Sequence, residues 1–297
     1  MRHDCKSKCI KFVIMTVREA EKHITEQLTP VYKQGEANSI ATLVIEYITG
    51  TVRTKLNSIK QNSLIAAQSE QLHQIIKRLQ QHEPVQYILN ESWFCGLKFY
   101  VDKCVLIPRS ETEELVEWII DNCRFPIDEL KIMDMGSGSG CIPIALKRRI
   151  RKAEVWSCDI SNDALAVAKK NAETLGADVK FEQLDFLDKH VWDRLPEFDI
   201  IVSNPPYVPQ KDKTTMQTNV LNFEPPHALF VPDNDPLIFY RAIAEFGKSH
   251  LRKKGAIYCE IHEDLGKEVI HLFESCGYIS EIKKDMQQKD RMVLLRL

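Results

Sequence analysis

The chain has 297 residues, 44% of them hydrophobic and 28% charged, with a formal net charge of −2. That length accommodates about two domains, and the balance excludes collagen-like, low-complexity and disordered chains. Residues 1–90 carry 12 Lys+Arg against 8 Asp+Glu and residues 91–297 carry 28 against 34, so a mildly basic third precedes a mildly acidic remainder, unlike a non-specific polyanion binder.

At the start, Lys11 interrupts the apolar stretch 9–15 and no small-residue cleavage site follows, which makes a poor signal peptide. Residues 1–15 read as a tail, with Met15 an alternative start, and no apolar run is long enough to span a bilayer. The nine cysteines (Cys5, Cys9, Cys95, Cys104, Cys123, Cys141, Cys158, Cys259 and Cys276) form no CxxC pair and complete no zinc-ligand spacing. Free thiols in a reducing cytoplasm, and no metal, are expected.

From Thr16 to Pro84 apolar residues recur at helical spacing: Val17/Ala20/Ile24/Leu28, Ile40/Leu43/Val44/Tyr47/Ile48 and Leu72/Ile75/Ile76/Leu79. Asn38 or Ser39 can cap the second helix, Gly50 can close it and Pro84 can stop the last. A small helical bundle over residues 1–84 is predicted, either a packing domain or, as we prefer for a basic unit ahead of an acidic one, a recognition domain. Residues 85–110, rich in aromatic and β-branched side chains around Gly96 and Asp102-Lys103, predict one or two hairpins linking it to the rest.

In residues 111–297 a capping-box-like Ser110-Glu111-Thr112-Glu113 introduces a helix over 114–121. Strands are predicted at 130–135, 154–158, 179–183, 199–203 and 256–261, with helices such as 163–175 and 237–251 between them. Alternating β and α implies an α/β, Rossmann-like parallel sheet with helices on both faces. Segments 279–283 and 292–297 have no helix between them, so the last strand should enter antiparallel, at or near an edge. Residues 204–236 hold seven of the thirteen prolines, and so long an aperiodic connection is usually functional.

The turn Asp134-Met135-Gly136-Ser137-Gly138-Ser139-Gly140 follows an apolar strand and opens a helix. Its glycines let backbone N–H groups approach a ligand, which suits NAD, a flavin or S-adenosylmethionine, or serve only close packing. The spacing is GxGxG, and Pro143 lies in the first helical turn, which lowers the dinucleotide reading. Asp159, nineteen residues after Gly140, ends the second strand where a carboxylate can accept from both ribose hydroxyls; helix capping is the alternative, although Ser161 or Asn162 serves as well. Asp185-Phe186, after the third strand, can bond an adenine amino group and wall its ring, or serve only to shape and pack the turn. Lys147-Arg148-Arg149-Ile150-Arg151-Lys152 reads as a helix C-terminus favoured by the macrodipole rather than as an RNA contact. The histidines show no catalytic grouping.

Asn204-Pro205-Pro206-Tyr207 lies at the carboxyl end of the fourth strand, where ligands bind in such sheets. An amide or exocyclic nitrogen attacking a methyl sulfonium has a delocalised lone pair, so its site needs acceptors that orient both N–H bonds and stabilise the developing positive charge. The Asn204 side-chain oxygen and the Pro205 carbonyl can supply two, Tyr207 a flat face, and no titrating base is required. The quartet favours N-methylation over hydride transfer.

These residues, together with Leu106-Ile107-Pro108-Arg109, Glu111-Thr112-Glu113, Glu224-Pro225, Ala228-Leu229 and Tyr240-Arg241, resemble the release factor glutamine methyltransferases of the PrmC/HemK type from about Glu83 to the C-terminus. The resemblance implies a seven-stranded Rossmann-like methyltransferase domain and transfer of methyl from S-adenosylmethionine to the glutamine of the Gly-Gly-Gln motif of class 1 peptide-chain release factors. It further implies that Gly136, Ser137, Gly138, Ser139, Gly140, Asp159 and Phe186 hold the cofactor, that Asn204, Pro205, Pro206 and Tyr207 hold the glutamine, with Asn204, Pro205 and Tyr207 catalytic, and that Asn204 borders both ligands. The implied setting is cytoplasmic, with a protein substrate and neither stable nucleic-acid binding nor a membrane. The chain departs from the family pattern at Ser110, Asp235-Pro236-Leu237, His262 and Gln288-Lys289-Asp290-Arg291. The alternatives are an N-methyltransferase of adenine or guanine in DNA or rRNA, which shares the Asn-Pro-Pro-Tyr motif, and a methyltransferase-like translation scaffold without turnover.

Overall fold

Thr16 opens α1 (Val17–Leu28) with a reciprocal cap: its hydroxyl accepts from the Glu19 N–H at 3.2 Å, and the Glu19 carboxylate accepts from the Thr16 N–H at 2.8 Å. The Thr16 N–H, with the Thr16 hydroxyl donating to the same carboxylate at 2.9 Å, lowers the Glu19 carboxyl from its ordinary value. The computed structural model describes residues 15–123 and 130–297, so the expectations for residues 1–14, Cys5 and Cys9 among them, lie outside the described residues. The chain divides into two compact units, Met1–Leu89 and Asn90–Leu297.

In the first unit, α2 (Gln34–Thr49) begins ahead of the expected caps. Lys33 is its N-cap, and Asn38 and Ser39 lie inside it, where the Ser39 hydroxyl bonds back to the Gly35 carbonyl at 3.1 Å. Gly50 closes the helix in the left-handed conformation, φ 65°. After α3 (Leu56–Ile59) and α4 (Ala66–Leu79) comes α5 (Val85–Leu89), a stretch expected to be extended. Pro84 starts this helix, its carbonyl accepting from the Tyr87 and Ile88 N–H groups, and Val85, Ile88 and Leu89 complete the same core as Ile24, Ile45 and Leu72. Burial has overridden the β-propensity of these side chains.

In the second unit β1 (Ser92–Phe94) and β2 (Leu97–Phe99) form a hairpin whose turn residues, Cys95 and Gly96, both have positive φ. In α6 (Ser110–Asn122) Ser110 is the first helical residue rather than a cap, and Arg109 stands at the N-cap without a side-chain bond to the helix end. The capping box fails because Glu113 accepts instead from the Cys95 N–H at 2.8 Å.

The alternation then runs β3 (Lys131–Met135), α7 (Cys141–Arg149), β4 (Glu154–Asp159), α8 (Asn162–Leu175), β5 (Val179–Gln183) and β6 (Phe198–Ser203). The proline-rich stretch holds β7 (Val208–Pro209), α9 (Thr218–Phe223) and β8 (Phe230–Val231), with β7 and β8 pairing in parallel. It is followed by α10 (Ile238–His250), β9 (Leu251–Glu260), α11 (Gly266–Ser275), β10 (Ile279–Lys284) and β11 (Asp290–Arg296).

The main sheet has seven strands in the order β10-β11-β9-β6-β3-β4-β5. Neighbours from β9 to β5 pair in parallel, while β11 runs antiparallel between β10 and β9. One apolar layer joins Leu115, Ile119, Ile144 and Leu146 to one face of this sheet, and a second joins Tyr240, Ile243, Phe246 and Phe273 to the other. At the end of α7, Lys147 donates to the Ala153 carbonyl at 2.7 Å and Arg149 grips Glu117 at 2.7 and 3.0 Å, as suits a charged helix C-terminus. No helix among the described residues is long and apolar enough to cross a membrane.

Candidate active site

Strand order places the site. From β3 the chain winds outward through β4 and β5, then returns to β6 on the other side of β3, which makes the carboxyl ends of β3 and β6 the switch point of the sheet. Met135 is paired with Ser203 and with Cys158, so Gly136, Asn204 and Asp159 leave adjacent strands side by side. One open cleft there is lined by Gly136, Ser137, Gly138, Ser139, Asp159, Asp185, Phe186, Asn204, Pro205 and Pro206, and also by Arg109 and Thr112. Two expected residues lie off its wall. Gly140 sits beneath the helix, where a Cβ would come within 2.9 Å of Ile144 and 3.2 Å of Ala168, and Tyr207 turns toward Glu260.

The glycine turn is held by its own backbone. Gly136, Gly138 and Gly140 have φ of 88°, 49° and 80°, a region that suits glycine. The N–H groups of Gly136 and Ser137 both reach the Cys158 carbonyl at 2.9 Å. Beneath the turn the Ser137 and Ser157 hydroxyls are 2.6 Å apart, and Ser157 donates to buried Asp134 at 2.6 Å. Burial, augmented by nearby Asp159, pushes the Asp134 carboxyl up to about 8 against the Ser157 bond. Asp159 accepts from the Gly138 N–H through one oxygen and from the Ser161 N–H through the other, both at 2.9 Å, and Ser161 is the residue that caps α8. Phe186 is wedged between Trp192 and Phe246, with ring centroids 5.5 and 5.2 Å away, and Trp192 donates to its carbonyl at 3.0 Å. Asp185 accepts from the Leu187 N–H in its own turn at 3.0 Å.

Side chains hold the Asn204 wall. Asn204 Nδ2 donates to Thr112 Oγ1 at 3.1 Å, Thr112 Oγ1 donates to Glu260 Oε2 at 2.6 Å, and the Tyr207 hydroxyl donates to Glu260 Oε1 at 3.0 Å. Glu260 is buried at the end of β9, which raises its carboxyl, while the bonds from Thr112 and Tyr207 and the nearby Arg291 guanidinium pull it back. Burial and the Glu260 charge hold the Tyr207 phenol protonated, hence a donor. Arg291 is itself gripped by Asp285 and Glu263. His262 lies on the Tyr207 side, with ring centroids 5.9 Å apart, rather than on the cleft wall. From the cleft lining Arg109 donates to buried Glu224 at 2.6 Å and ties the Ile-Pro-Arg segment to the proline-rich stretch.

Sequence reasoning had not given Thr112 and Glu260 a role. The available signal was a lone carboxylate at the end of the apolar run Ala256-Ile257-Tyr258-Cys259, where an unpaired charge would be costly. Among the described residues no group of three or more His, Cys, Asp or Glu is arranged to hold a metal.

Residues 19–89 match the family model described as the PrmC N-terminal domain, and residues 112–230 match that of the methyltransferase small domain. The chain is 40% identical to the release factor glutamine methyltransferase of Flavobacterium psychrophilum, over 94% of this chain and 98% of that one. It is 41% identical to the Bacteroides thetaiotaomicron protein of the same name, over 91% and 96%. Among solved structures, the hMettl16 catalytic domain shares the fold at 14% identity, with a TM-score of 0.52 over 77% of this chain and 81% of that one.

Proposed function

The chain belongs to the release factor glutamine methyltransferase family, and from that premise we propose that it methylates the side-chain amide nitrogen (N5) of the Gly-Gly-Gln glutamine in class 1 peptide-chain release factors, with S-adenosylmethionine as donor. The observation that carries the proposal is that the glycine turn and Asn204-Pro205-Pro206 line one cleft at the switch point of the sheet.

The residues fit such a donor. A Cβ built on Gly136 or Gly138 would meet no protein atom within 4 Å, so a ligand can lie against the bare backbone of the turn. Asp159 spends one lone pair of each oxygen on the loop and keeps others for ribose hydroxyls, and Phe186 offers a braced apolar face. When bound, S-adenosylmethionine supplies an electrophilic methyl on a sulfonium. The chain's own task is positional: Asn204 Oδ1 and the Pro205 carbonyl accept from the two N–H bonds of the target amide, hold its nitrogen in line with the methyl, and stabilise the positive charge that develops there. Neither Pro205 nor Pro206 has an N–H to compete for those acceptors. We assign the helical unit, whose core is complete in itself, to recognition of the release factor.

The test is methyl transfer from labelled S-adenosylmethionine to an unmethylated class 1 release factor, the same factor with its Gly-Gly-Gln glutamine replaced, and unmodified DNA and rRNA. Label on the intact factor alone is expected. Label on nucleic acid instead would keep the chemistry and change the substrate, and no label despite cofactor binding would make the chain a scaffold.

A further inference from the structure

The Asn204 amide is ambiguous in shape, because exchanging its oxygen and nitrogen changes its outline little. Only one orientation serves: Oδ1 has to meet the target N–H, since Nδ2 there would oppose donor to donor. What selects the orientation lies behind Asn204, in two nearly solvent-free groups, Thr112 and Glu260, each 2% exposed.

A threonine hydroxyl has one proton to give. As a carboxylate Glu260 can only accept, and the Tyr207 phenol, held protonated by its burial, donates to its other oxygen at 3.0 Å. The Thr112 proton therefore goes to Glu260, at 2.6 Å, and leaves Oγ1 able only to accept from Asn204 Nδ2, at 3.1 Å. We propose that Thr112 and Glu260 are positioning residues, a one-way hydrogen-bond relay that locks the Asn204 amide with Oδ1 toward the substrate. The proposal rests on the reading above, in which Asn204 accepts from the glutamine amide. Tyr207 belongs to the same relay as the donor that occupies the second carboxylate oxygen. Arg291, charged on β11, and Glu111, on α6, are the further charges that act on Glu260, with opposite signs.

The relay makes specific demands. Glu260→Gln keeps shape but supplies an N–H that can donate to Thr112, which frees the Thr112 proton for Asn204 Oδ1 and turns the amide the wrong way. Thr112→Val removes the acceptor, whereas Thr112→Ser keeps it. In the full-length enzyme with a release factor substrate, Glu260→Gln and Thr112→Val should each lower kcat by about tenfold or more, short of the ~10²–10³-fold that follows outright loss of a charge-stabilising contact. The Kd for S-adenosylhomocysteine by calorimetry should stay unchanged, Thr112→Ser should remain within a few-fold of wild type, and the double variant should lose little more than either single, as members of one unit do. Wild-type kcat in Thr112→Val and Glu260→Gln alongside a dead Asn204→Ala would overturn the relay and leave the assigned function standing. Thr112→Ser as impaired as Thr112→Val would also overturn it, by showing that the methyl and not the hydroxyl matters. Normal turnover in Asn204→Ala would instead remove the premise. Should Thr112→Val fail to fold, Glu260→Gln and Thr112→Ser still decide the matter.

Discussion

On the glycine wall of the cleft, position comes from backbone and close neighbours: three left-handed glycines, N–H groups bonded to the Cys158 carbonyl, and a carboxylate that caps its own turn. On the Asn204 wall it comes from side chains far apart in the chain, with Asn204 and Thr112 separated by 92 positions and Thr112 and Glu260 by 148. The difference matches the two tasks proposed for them. Holding a cofactor calls for bare backbone and open space, whereas aligning a poor nucleophile calls for one acceptor held in one orientation.

The comparison breaks most visibly at the aromatic brace of the glycine wall. Phe246 contacts Phe186, Trp192 and Phe198 and stacks on His250 at 4.2 Å, so Phe246→Ala should cost about 3–5 kcal/mol in denaturant unfolding and weaken cofactor binding through Phe186. Asn204→Ala should lower methyl transfer by at least ~10²-fold, equivalent to about 2.7 kcal/mol, with cofactor affinity nearly intact by calorimetry. A large loss of cofactor affinity in that variant would show that the two walls do not divide the work. Ser161→Ala removes the bond from the Ala164 N–H to the α8 cap and should cost about 1 kcal/mol, read as a shifted denaturation midpoint with little change in turnover.

The smallest effect at acid pH grows as pH rises. The folded-state pKa of Asp134 is raised to about 8, so between the ordinary carboxylate range and that value the native state binds a proton that the unfolded chain has lost. Stability therefore falls with rising pH through this window, and the penalty is complete above about 8. Asp134→Asn cannot titrate. Whatever constant offset its amide brings, its melting temperature should gain on wild type from pH 5 or so upward to about pH 8, and a pH-independent difference would contradict the assignment.

Much of the second unit was legible from local pattern. Strand 179–183 has the predicted bounds, a helix follows the glycine turn as expected, and the reversed last strand follows from the missing helix between the two final β segments. Elements whose partners lie elsewhere were less legible. Val85 and Ile88 have strand-like chemistry but complete a helical core, and Glu113, spaced for a capping box, was taken by the Cys95 N–H. Of the candidate site, the glycine turn, Asp159, Phe186 and Asn204-Pro205-Pro206 were each visible as a residue type at a strand end. The inward turn of Tyr207 toward Glu260 was not.

By itself the sequence determined what is periodic or punctuated: which stretches coil or extend, where glycine permits a left-handed turn, and which residues end each strand. Those properties act over a few positions and need no partner. Only the tertiary structure decided which strand ends meet and which hydroxyl stands behind Asn204. Strand order and register bring residues together across the chain, and burial then leaves each polar group with the one partner that position offers.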